Sequence, residues 1–273
     1  MPRETPKYHV GQTNNIVNAF AKRTAEDSCA YLLSSLTPDM TILDVGCGPG
    51  SITIDLARHV PRGHVVGIDI EAAASTLDKG RTQAQMEGVM NVEFRTGNGY
   101  TLPFPDDTFD ATHSHQVLHQ IDDPVHFMRE MHRVTKPGGF IASRVWDTGS
   151  WILHPQDEGI TSFRTMTQRI NSERGLVPFA GRNLHIWARK AGFEAGRVKI
   201  STSTMTFRTP EERIYVGELF RAISQESDFA TMALKKGYVT GEGLERMAEG
   251  WQRWIDDDDG PFAWINFELL YQK

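Results

Sequence analysis

A glycine-rich segment lies where a short apolar run gives way to a helical pattern. It reads Leu43-Asp44-Val45-Gly46-Cys47-Gly48-Pro49-Gly50. Between a strand and a helix, glycines let the backbone turn sharply and approach a ligand closely. Nicotinamide and flavin proteins carry a G-x-G-x-x-G turn at the same place, and here Ser51 stands where the last glycine would be. The segment predicts a site for an adenosyl cofactor without identifying which one.

Two acidic residues bear on that choice. A dinucleotide presents a pyrophosphate anion to such a loop, whereas Asp44 adds negative charge two residues before the first glycine. S-adenosylmethionine, which carries a sulfonium and an ammonium and no phosphate, therefore fits better. Asp69 ends the next apolar run, 19 residues beyond Gly50, where a carboxylate can accept hydrogen bonds from the ribose hydroxyls of either cofactor. Turn or capping roles remain the alternatives for Asp44 and Asp69.

The elements that would position these residues follow from the pattern between 41 and 146. Short β-branched runs alternate there with helical segments, which predicts βα units on a mostly parallel sheet with helices on both faces. Amphipathic segments precede this core, within 13–36. After it, the pattern predicts helices, a strand at VKISTSTMTF, more helices over 210–255 and a closing strand at FAWINFELLY.

We interpret the chain as one domain over 1–273. Residues 1–38 would form an N-terminal helical cover, and 39–147 the cofactor-binding core. Residues 148–273 would supply cap helices and the last two strands. The acidic run at 256–259 is most simply a solvated loop.

Four ordered motifs make a family resemblance specific. The segment from Gly97 to Asp110, together with LDVGCGPG, GIDIE and MREMHRVTKPGGF, resembles the class I S-adenosylmethionine-dependent methyltransferases of the UbiE/COQ5 type. The similarity is dense from 41 to 146 and weaker outside it. The resemblance implies a Rossmann-like α/β fold with a seven-stranded, mostly parallel sheet and an antiparallel last strand. It also implies S-adenosylmethionine as cofactor and S-adenosylhomocysteine as product.

The resemblance also implies roles at matching positions. The backbone of His115 would face the amino group of the cofactor. The family usually has Asp where Asn98 stands, and an amide oxygen still accepts a hydrogen bond, without the assistance of charge. The implied cofactor contacts are Gly46, Gly48 and Gly50 under the methionine part, Asp69 at the ribose, and Asn98 with Gly99 at the adenine.

The histidines allow two interpretations. His113, His115 and His119 superficially resemble a metal-ligand set, but no Cys, Asp or Glu obviously completes it, and a sulfonium donor needs no Lewis acid. We therefore expect no metal. Because the resemblance places His115 and His119 at the cofactor's edge, either could act as a base or orient the acceptor, with packing as the alternative.

Aromatic residues in the flanking segments suggest an apolar pocket over the cofactor and a lid that excludes water. Such a pocket favours a small hydrophobic acceptor over a protein or a nucleic acid. The candidates for this pocket are Tyr8, His9, Gln12, Trp151, His154, Trp251 and Trp254.

The acceptor atom is harder to predict. A thiol is already partly ionised at neutral pH, whereas a hydroxyl or carbon acid needs a positioned base, and no clear base constellation is present. The sequence also resembles fungal stand-alone enzymes of this family, which include the S-methyltransferase that methylates the reduced dithiol of gliotoxin. We therefore favour a thiol or dithiol of a secondary metabolite. C-methylation of a quinone precursor and O-methylation of a phenol remain open, as do a nicotinamide oxidoreductase and an inactive adenosyl-binding module.

Composition excludes other classes. The 273 residues carry a formal net charge of −6 and an isoelectric point near 5.9, so the chain lacks the basic footprint of a nucleic-acid or anionic-membrane binder. Cys29 and Cys47 form no zinc spacing, and neither a signal peptide nor an apolar run of membrane-spanning length is evident. We expect a cytoplasmic protein; the sequence leaves its oligomeric state, monomer or homodimer, undetermined.

Overall fold

A computed structural model describes residues 17, 20–177 and 179–273. Its sheet contains β1 (Thr41–Val45), β2 (His64–Asp69), β3 (Val92–Thr96), β4 (Phe109–His115), β5 (Thr135–Trp146), β6 (Ile152–Leu153), β7 (Val198–Phe207) and β8 (Phe262–Gln272). The helices are α1 (Ala25–Leu33), α2 (Ser51–His59), α3 (Ala74–Met86), α4 (Pro124–Val134), α5 (Glu158–Glu173), α6 (Leu184–Ala191), α7 (Pro210–Glu226), α8 (Asp228–Lys235) and α9 (Gly241–Asp256).

The strands form one sheet in the order β3-β2-β1-β4-β5-β8-β6, and β7 also pairs with β8. The pairs among β1 to β5 are parallel, and β8 runs antiparallel to β5, β6 and β7. This confirms the predicted mostly parallel α/β sheet with an antiparallel last strand. An eighth, two-residue strand is added because Ile152 and Leu153 pair with the start of β8.

Helices cover both faces of the sheet. On one face, α1 and α2 pack residues such as Leu32 and Leu56 against Ile42 and Ala142. On the other face, Met128 of α4 and Trp187 of α6 pack in a second cluster with residues of β1, β2, β5 and β8. A third cluster joins α5, α7, α8 and α9 to β8 beyond the end of the sheet. The cap helices therefore have their own core.

Local chemistry fixes where several helices begin. Thr24 and Asp27 form a reciprocal capping box at the start of α1, and Thr209 and Glu212 form another at α7. The acidic run follows the end of α9, and there the carboxylate of Asp258 accepts a hydrogen bond of 2.6 Å from Nη2 of the buried Arg213. That loop is thus tied to the start of α7, while the Asp258 side chain itself stays exposed.

Candidate active site

The glycine segment lies at the carboxyl end of β1, and its three glycines all have positive φ: 80° at Gly46, 54° at Gly48 and 82° at Gly50. A β-carbon at Gly46 would lie 2.3 Å from Val117 Cγ2, and one at Gly50 would lie 2.4 Å from Phe94 Cε1. A β-carbon at Gly48 would meet no heavy atom within 4 Å. Gly46 and Gly50 therefore serve close packing, and Gly48 lies where the loop borders open space.

That open space belongs to a cavity of about 1550 Å³, including its mouth. Its lining includes Gly46 and Gly48 from the loop, Asp69 from β2, and Gly97 and Gly99 from the turn after β3. The loop, the end of β2 and this turn therefore border one cavity.

Asp69 ties the loop to the end of β2. Its carboxylate accepts the backbone N–H of Gly48 at 2.7 Å and that of Ile70 at 2.8 Å. Burial raises the pKa of the Asp69 carboxyl above its usual value, although the two backbone hydrogen bonds oppose the change. Each carboxylate oxygen retains a lone pair for another donor. Asp69 thus holds the loop and can still receive a ligand hydroxyl from the cavity.

Asp44 is a lining residue whose carboxylate is bound within the protein. It is 2% exposed, Oδ2 accepts from Thr53 Oγ1 at 2.6 Å, and Oδ1 lies 2.8 Å from His113 Nδ1. The pairing of β1 with β4 sets Asp44 directly opposite His113. Asp44 therefore holds β1, β4 and α2 together beneath the loop. The sequence alone does not indicate this role of His113, because its partner lies 69 residues away.

The turn after β3 contains Asn98 and Gly99. The side-chain oxygen of Asn98 accepts the backbone N–H of Tyr100 at 2.9 Å, and Asn98 is not among the lining residues. Gly97 and Gly99 do line the cavity, and a β-carbon at Gly99 would lie 2.4 Å from Phe127 Cε2. The Asn98 oxygen therefore shapes the turn, and because an amide oxygen can accept a second hydrogen bond, its adenine contact stays a prediction.

His115 and His119 both line the cavity. Burial lowers the pKa of His115 well below its usual value and lowers that of His119 to about 3, and the charge of Arg23 acts in the same direction. Nδ1 of each ring has no hydrogen-bond partner among the described residues. Both imidazoles are therefore neutral at physiological pH and add no positive charge to the cavity.

His115 also begins a row of buried polar residues across the sheet. The register places His115 opposite Arg144, and Arg144 opposite Glu268. Arg144 is 2% exposed, its Nε lies 3.3 Å from Glu268 Oε1, and its Nη2 donates to Ser203 at 2.9 Å. The charge of Arg144 is among the causes that lower the pKa of His115. This row supports a neutral His115 at the cavity.

The two lowered histidine pKa values predict acid sensitivity. The unfolded chain takes up protons near pH 6.5, whereas folded His119 resists protonation until about pH 3. Stability should thus be unaffected by this group above pH 6.5 and fall as pH drops toward 3, by up to ~1.4 kcal/mol per pH unit. Denaturant titrations between pH 7 and 4.5 should show a shallower decline for His119→Gln. Equal slopes of stability against pH for the variant and the parent would contradict a lowered pKa of His119.

An apolar part of the cavity wall comes mainly from β7, α7 and β8. Most of its residues therefore belong to the C-terminal part of the chain, whereas the glycine segment follows β1. The side chains of this wall are Phe20, Trp146, Met205, Phe207, Tyr215, Val216, Leu219, Phe220, Ile223 and Trp264. An apolar second molecule would be desolvated here.

The aromatic residues predicted from the sequence occupy other places. Trp251 and Trp254 are 0% and 2% exposed within the core of the cap helices, and neither lines the cavity. Trp151 packs against that core, and His154 is exposed. These four are corrected to packing or surface positions. Tyr8, His9 and Gln12 lie outside the described residues.

Metal ligation and membrane insertion each require a particular arrangement of residues. Within 17, 20–177 and 179–273, no group of three or more His, Cys, Asp or Glu side chains is arranged to hold a metal ion. In the same ranges, no helix combines the length and the apolarity that crossing a membrane requires.

The sheet order and the antiparallel last strand, with a cavity at the glycine turn, are those of the class I methyltransferase fold. The family model described as "Methyltransferase domain" matches residues 36–178. The chain belongs to this methyltransferase family.

Two relatives match over nearly their full length. A protein of Schizosaccharomyces pombe named "Uncharacterized methyltransferase" is 35% identical over 284 residues, covering 100% of this chain and 98% of the relative. "Probable methyltransferase ltbC" of Aspergillus luteorubrus is 28% identical over 288 residues, covering 99% of this chain and 98% of the relative.

A solved structure shares the fold. It is a phosphoethanolamine N-methyltransferase 2 of Haemonchus contortus in complex with phosphomonomethylethanolamine and S-adenosylhomocysteine. The TM-score is 0.53 at 19% identity, over 87% of this chain and 50% of that one.

Proposed function

We propose that this protein transfers a methyl group from S-adenosylmethionine to a small apolar metabolite, with a thiol or dithiol as the favoured acceptor. The observation that carries the proposal is the composition of one cavity. Its lining combines the glycine segment and Asp69 with aromatic and aliphatic side chains of β7, α7 and β8. A methyltransferase needs this pairing, because donor and acceptor must meet in one enclosed space.

The cofactor end fits S-adenosylmethionine on three counts. The space above Gly48 is open, so a ligand can contact the loop backbone. Asp69 faces the cavity with acceptor capacity for ribose hydroxyls. The cavity histidines are neutral, and among the charged lining residues that the structure describes the two carboxylates of Asp44 and Asp69 outnumber the one cation, Arg23, which suits a sulfonium. When bound, S-adenosylmethionine supplies a methyl group on a sulfonium leaving group.

The acceptor end supplies orientation and excludes water. The apolar wall formed by residues such as Phe207, Tyr215 and Phe220 would hold an apolar body beside the histidines. In the transfer, the acceptor atom bonds to the methyl carbon as the carbon–sulfonium bond breaks, and the acceptor's proton leaves to the solvent. The reaction requires alignment of three atoms, which a closed cavity provides.

The lowered pKa values favour a thiol acceptor. Imidazoles with a pKa far below 7 are poor bases at neutral pH, so His115 and His119 would assist a phenol or carbon acid weakly. A thiol with a pKa near ~8.5 already provides a few per cent of thiolate at pH 7. His115 and His119 would then orient the acceptor.

A competition assay tests the proposal. Purified protein with labelled S-adenosylmethionine should methylate a dithiol in preference to a phenol and a quinol precursor offered together, and the rate should rise with pH toward the pKa of the thiol. Products are identified by mass. Methyl on oxygen or carbon alone would contradict the thiol acceptor, and failure of S-adenosylhomocysteine to bind in calorimetry would contradict the methyltransferase proposal itself.

A further inference from the structure

Among the residues that the structure describes, one cation lines the cavity, and it is Arg23. Its guanidinium carbon lies 4.4 Å from the centre of the Phe20 ring, within the range of a cation–π interaction. Phe20 packs in one cluster with Leu219 and Tyr215 of α7, and all three line the cavity. A guanidinium stacked on a ring keeps the N–H groups at its edges free to donate. Arg23 is thus held against the apolar wall with its donors available.

Arg23 has no anionic partner in the part of the chain that the structure describes. Its side chain forms neither an ion pair nor a hydrogen bond there. The nearest acidic residues in the sequence, Glu26 and Asp27, lie in the first turn of α1. The Asp27 carboxylate accepts from the Thr24 backbone N–H at 3.2 Å and from Ser28 Oγ at 2.5 Å, so it caps the helix instead. Because Arg23 is only partly buried and lines the cavity, a molecule in the cavity can reach it.

The charge of Arg23 acts on the histidine side of the cavity. It is the largest charge effect on the pKa of His115 and the only one on the pKa of His119. It is not among the causes that shift the pKa of Asp69, where the ribose is expected. The effect of a charge decreases with distance. The stacking on Phe20 and these electrostatic effects therefore both place the guanidinium beside the proposed acceptor site.

The other lining groups give a bound anion no positive charge. The carboxylates of Asp44 and Asp69 repel an anion, and the rings of His115 and His119 are neutral. The remaining titratable side chains of the described lining are Cys47, whose pKa burial raises, and Tyr215. A guanidinium forms strong, charge-assisted hydrogen bonds with anions. Arg23 is therefore the described lining group that can stabilise a negative charge on the acceptor.

We infer that Arg23 binds the methyl acceptor in its anionic form, as a thiolate, and so increases the fraction of bound acceptor that is ready to react. The inference rests on the proposed function, because it assigns a residue to the acceptor site of the same cavity. The S–H proton leaves to the solvent as the thiolate pairs with Arg23. The thiolate sulfur then bonds to the methyl carbon while the carbon–sulfonium bond breaks, which gives a thioether and S-adenosylhomocysteine. The thioether has no charge to pair with Arg23, and its release is favoured.

The test measures the ionisation of an aromatic thiol, 4-isopropylthiophenol, bound to protein that is saturated with S-adenosylhomocysteine. This product cannot donate a methyl group and carries no sulfonium, so the effect of Arg23 is measured alone. The thiolate absorbs at longer wavelength than the thiol, and absorbance at several pH values gives their ratio. At equal pH, this ratio should be at least tenfold higher in the parent than in Arg23→Gln, which is one pKa unit. Arg23→Lys keeps the charge and should recover most of the difference.

Lys22→Gln is the matched control. It removes a positive charge from the neighbouring residue, whose Nζ lies 5.6 Å from the centre of the Tyr215 ring and which does not line the cavity. The ratio of thiolate to thiol should therefore be the same in Lys22→Gln as in the parent. Calorimetry should give the same S-adenosylhomocysteine affinity for the parent and all three variants.

A second ligand distinguishes the acceptor from the carboxylate of the cofactor. If Arg23 pairs with that carboxylate, Arg23→Gln should weaken S-adenosylhomocysteine but not 5′-methylthioadenosine, which lacks it, and this result would overturn the inference. A parent protein that does not bind the thiol, an equal thiolate ratio in the parent and Arg23→Gln, or an equal effect of Lys22→Gln would also overturn it. In all these cases methyl transfer stands if the parent binds S-adenosylhomocysteine. Failure of the parent to bind S-adenosylhomocysteine would instead remove the proposed function.

Discussion

Gly48→Asp should weaken S-adenosylhomocysteine binding at least 100-fold while the protein stays folded. The β-carbon at this position points into open cavity space, so a side chain there displaces the ligand rather than clashing with the protein. The new carboxylate would also lie next to the Gly48 N–H that Asp69 accepts, and so close to the Asp69 carboxylate. Two neighbouring carboxylates repel each other at neutral pH. Isothermal calorimetry measures the affinity, and circular dichroism verifies the fold.

The strain of a side chain at positive φ needs a separate control, which Gly88 provides. Gly88 has a φ of 69°, lies exposed after α3, and a β-carbon there would also meet no atom within 4 Å. Gly88→Asp should therefore carry the same kind of backbone strain as Gly48→Asp, without the carboxylate repulsion, and leave the affinity unchanged. Undiminished affinity in a folded Gly48→Asp protein would show that the cofactor does not lie over this loop.

His113→Phe should lower the free energy of unfolding by about 3 kcal/mol, because it leaves the buried Asp44 carboxylate without one of its two side-chain donors. The phenyl ring keeps most of the volume of the imidazole, so the loss reports on the hydrogen bond more than on a cavity. S-adenosylhomocysteine affinity should fall as well, since Asp44 anchors the strand from which the glycine segment emerges. Urea titration and calorimetry give the two numbers.

His113→Asn distinguishes this hydrogen bond from general packing. The side-chain nitrogen of Asn can take the place of imidazole Nδ1 and donate to Asp44. The His113→Asn variant should therefore recover most of the lost S-adenosylhomocysteine affinity, although Asn is smaller than His. If the Asn variant is as impaired as the Phe variant, packing of the ring rather than its donor supports the loop.

The sequence by itself determined the sheet of alternating βα units and predicted that the cofactor lies at the glycine segment. Both are encoded locally, because a strand period, a glycine at positive φ and an acidic strand end are properties of adjacent residues. Gly48 and Asp69 line the cavity at the places predicted for them. The antiparallel last strand followed from the family resemblance, and β8 adopts it.

The pairs that cross the fold could not be predicted locally. Asp44 meets His113 because β1 and β4 are neighbours in one particular register, and a shift of one residue would turn one side chain to the opposite face. The hydrogen bond by which the Asn98 amide shapes its own turn is likewise not indicated by periodicity.

Only the tertiary structure decided which apolar residues face the cavity. Amphipathic periodicity marks Trp251 and Trp254 as buried, yet it treats a packed core and the wall of a binding cavity alike. In the folded chain α9 packs Trp251 against α7 in the core of the cap, while α7 turns Leu219 and Phe220 toward the cavity. Burial is a property of each residue, whereas the choice between core and cavity wall depends on which helix lies across from it.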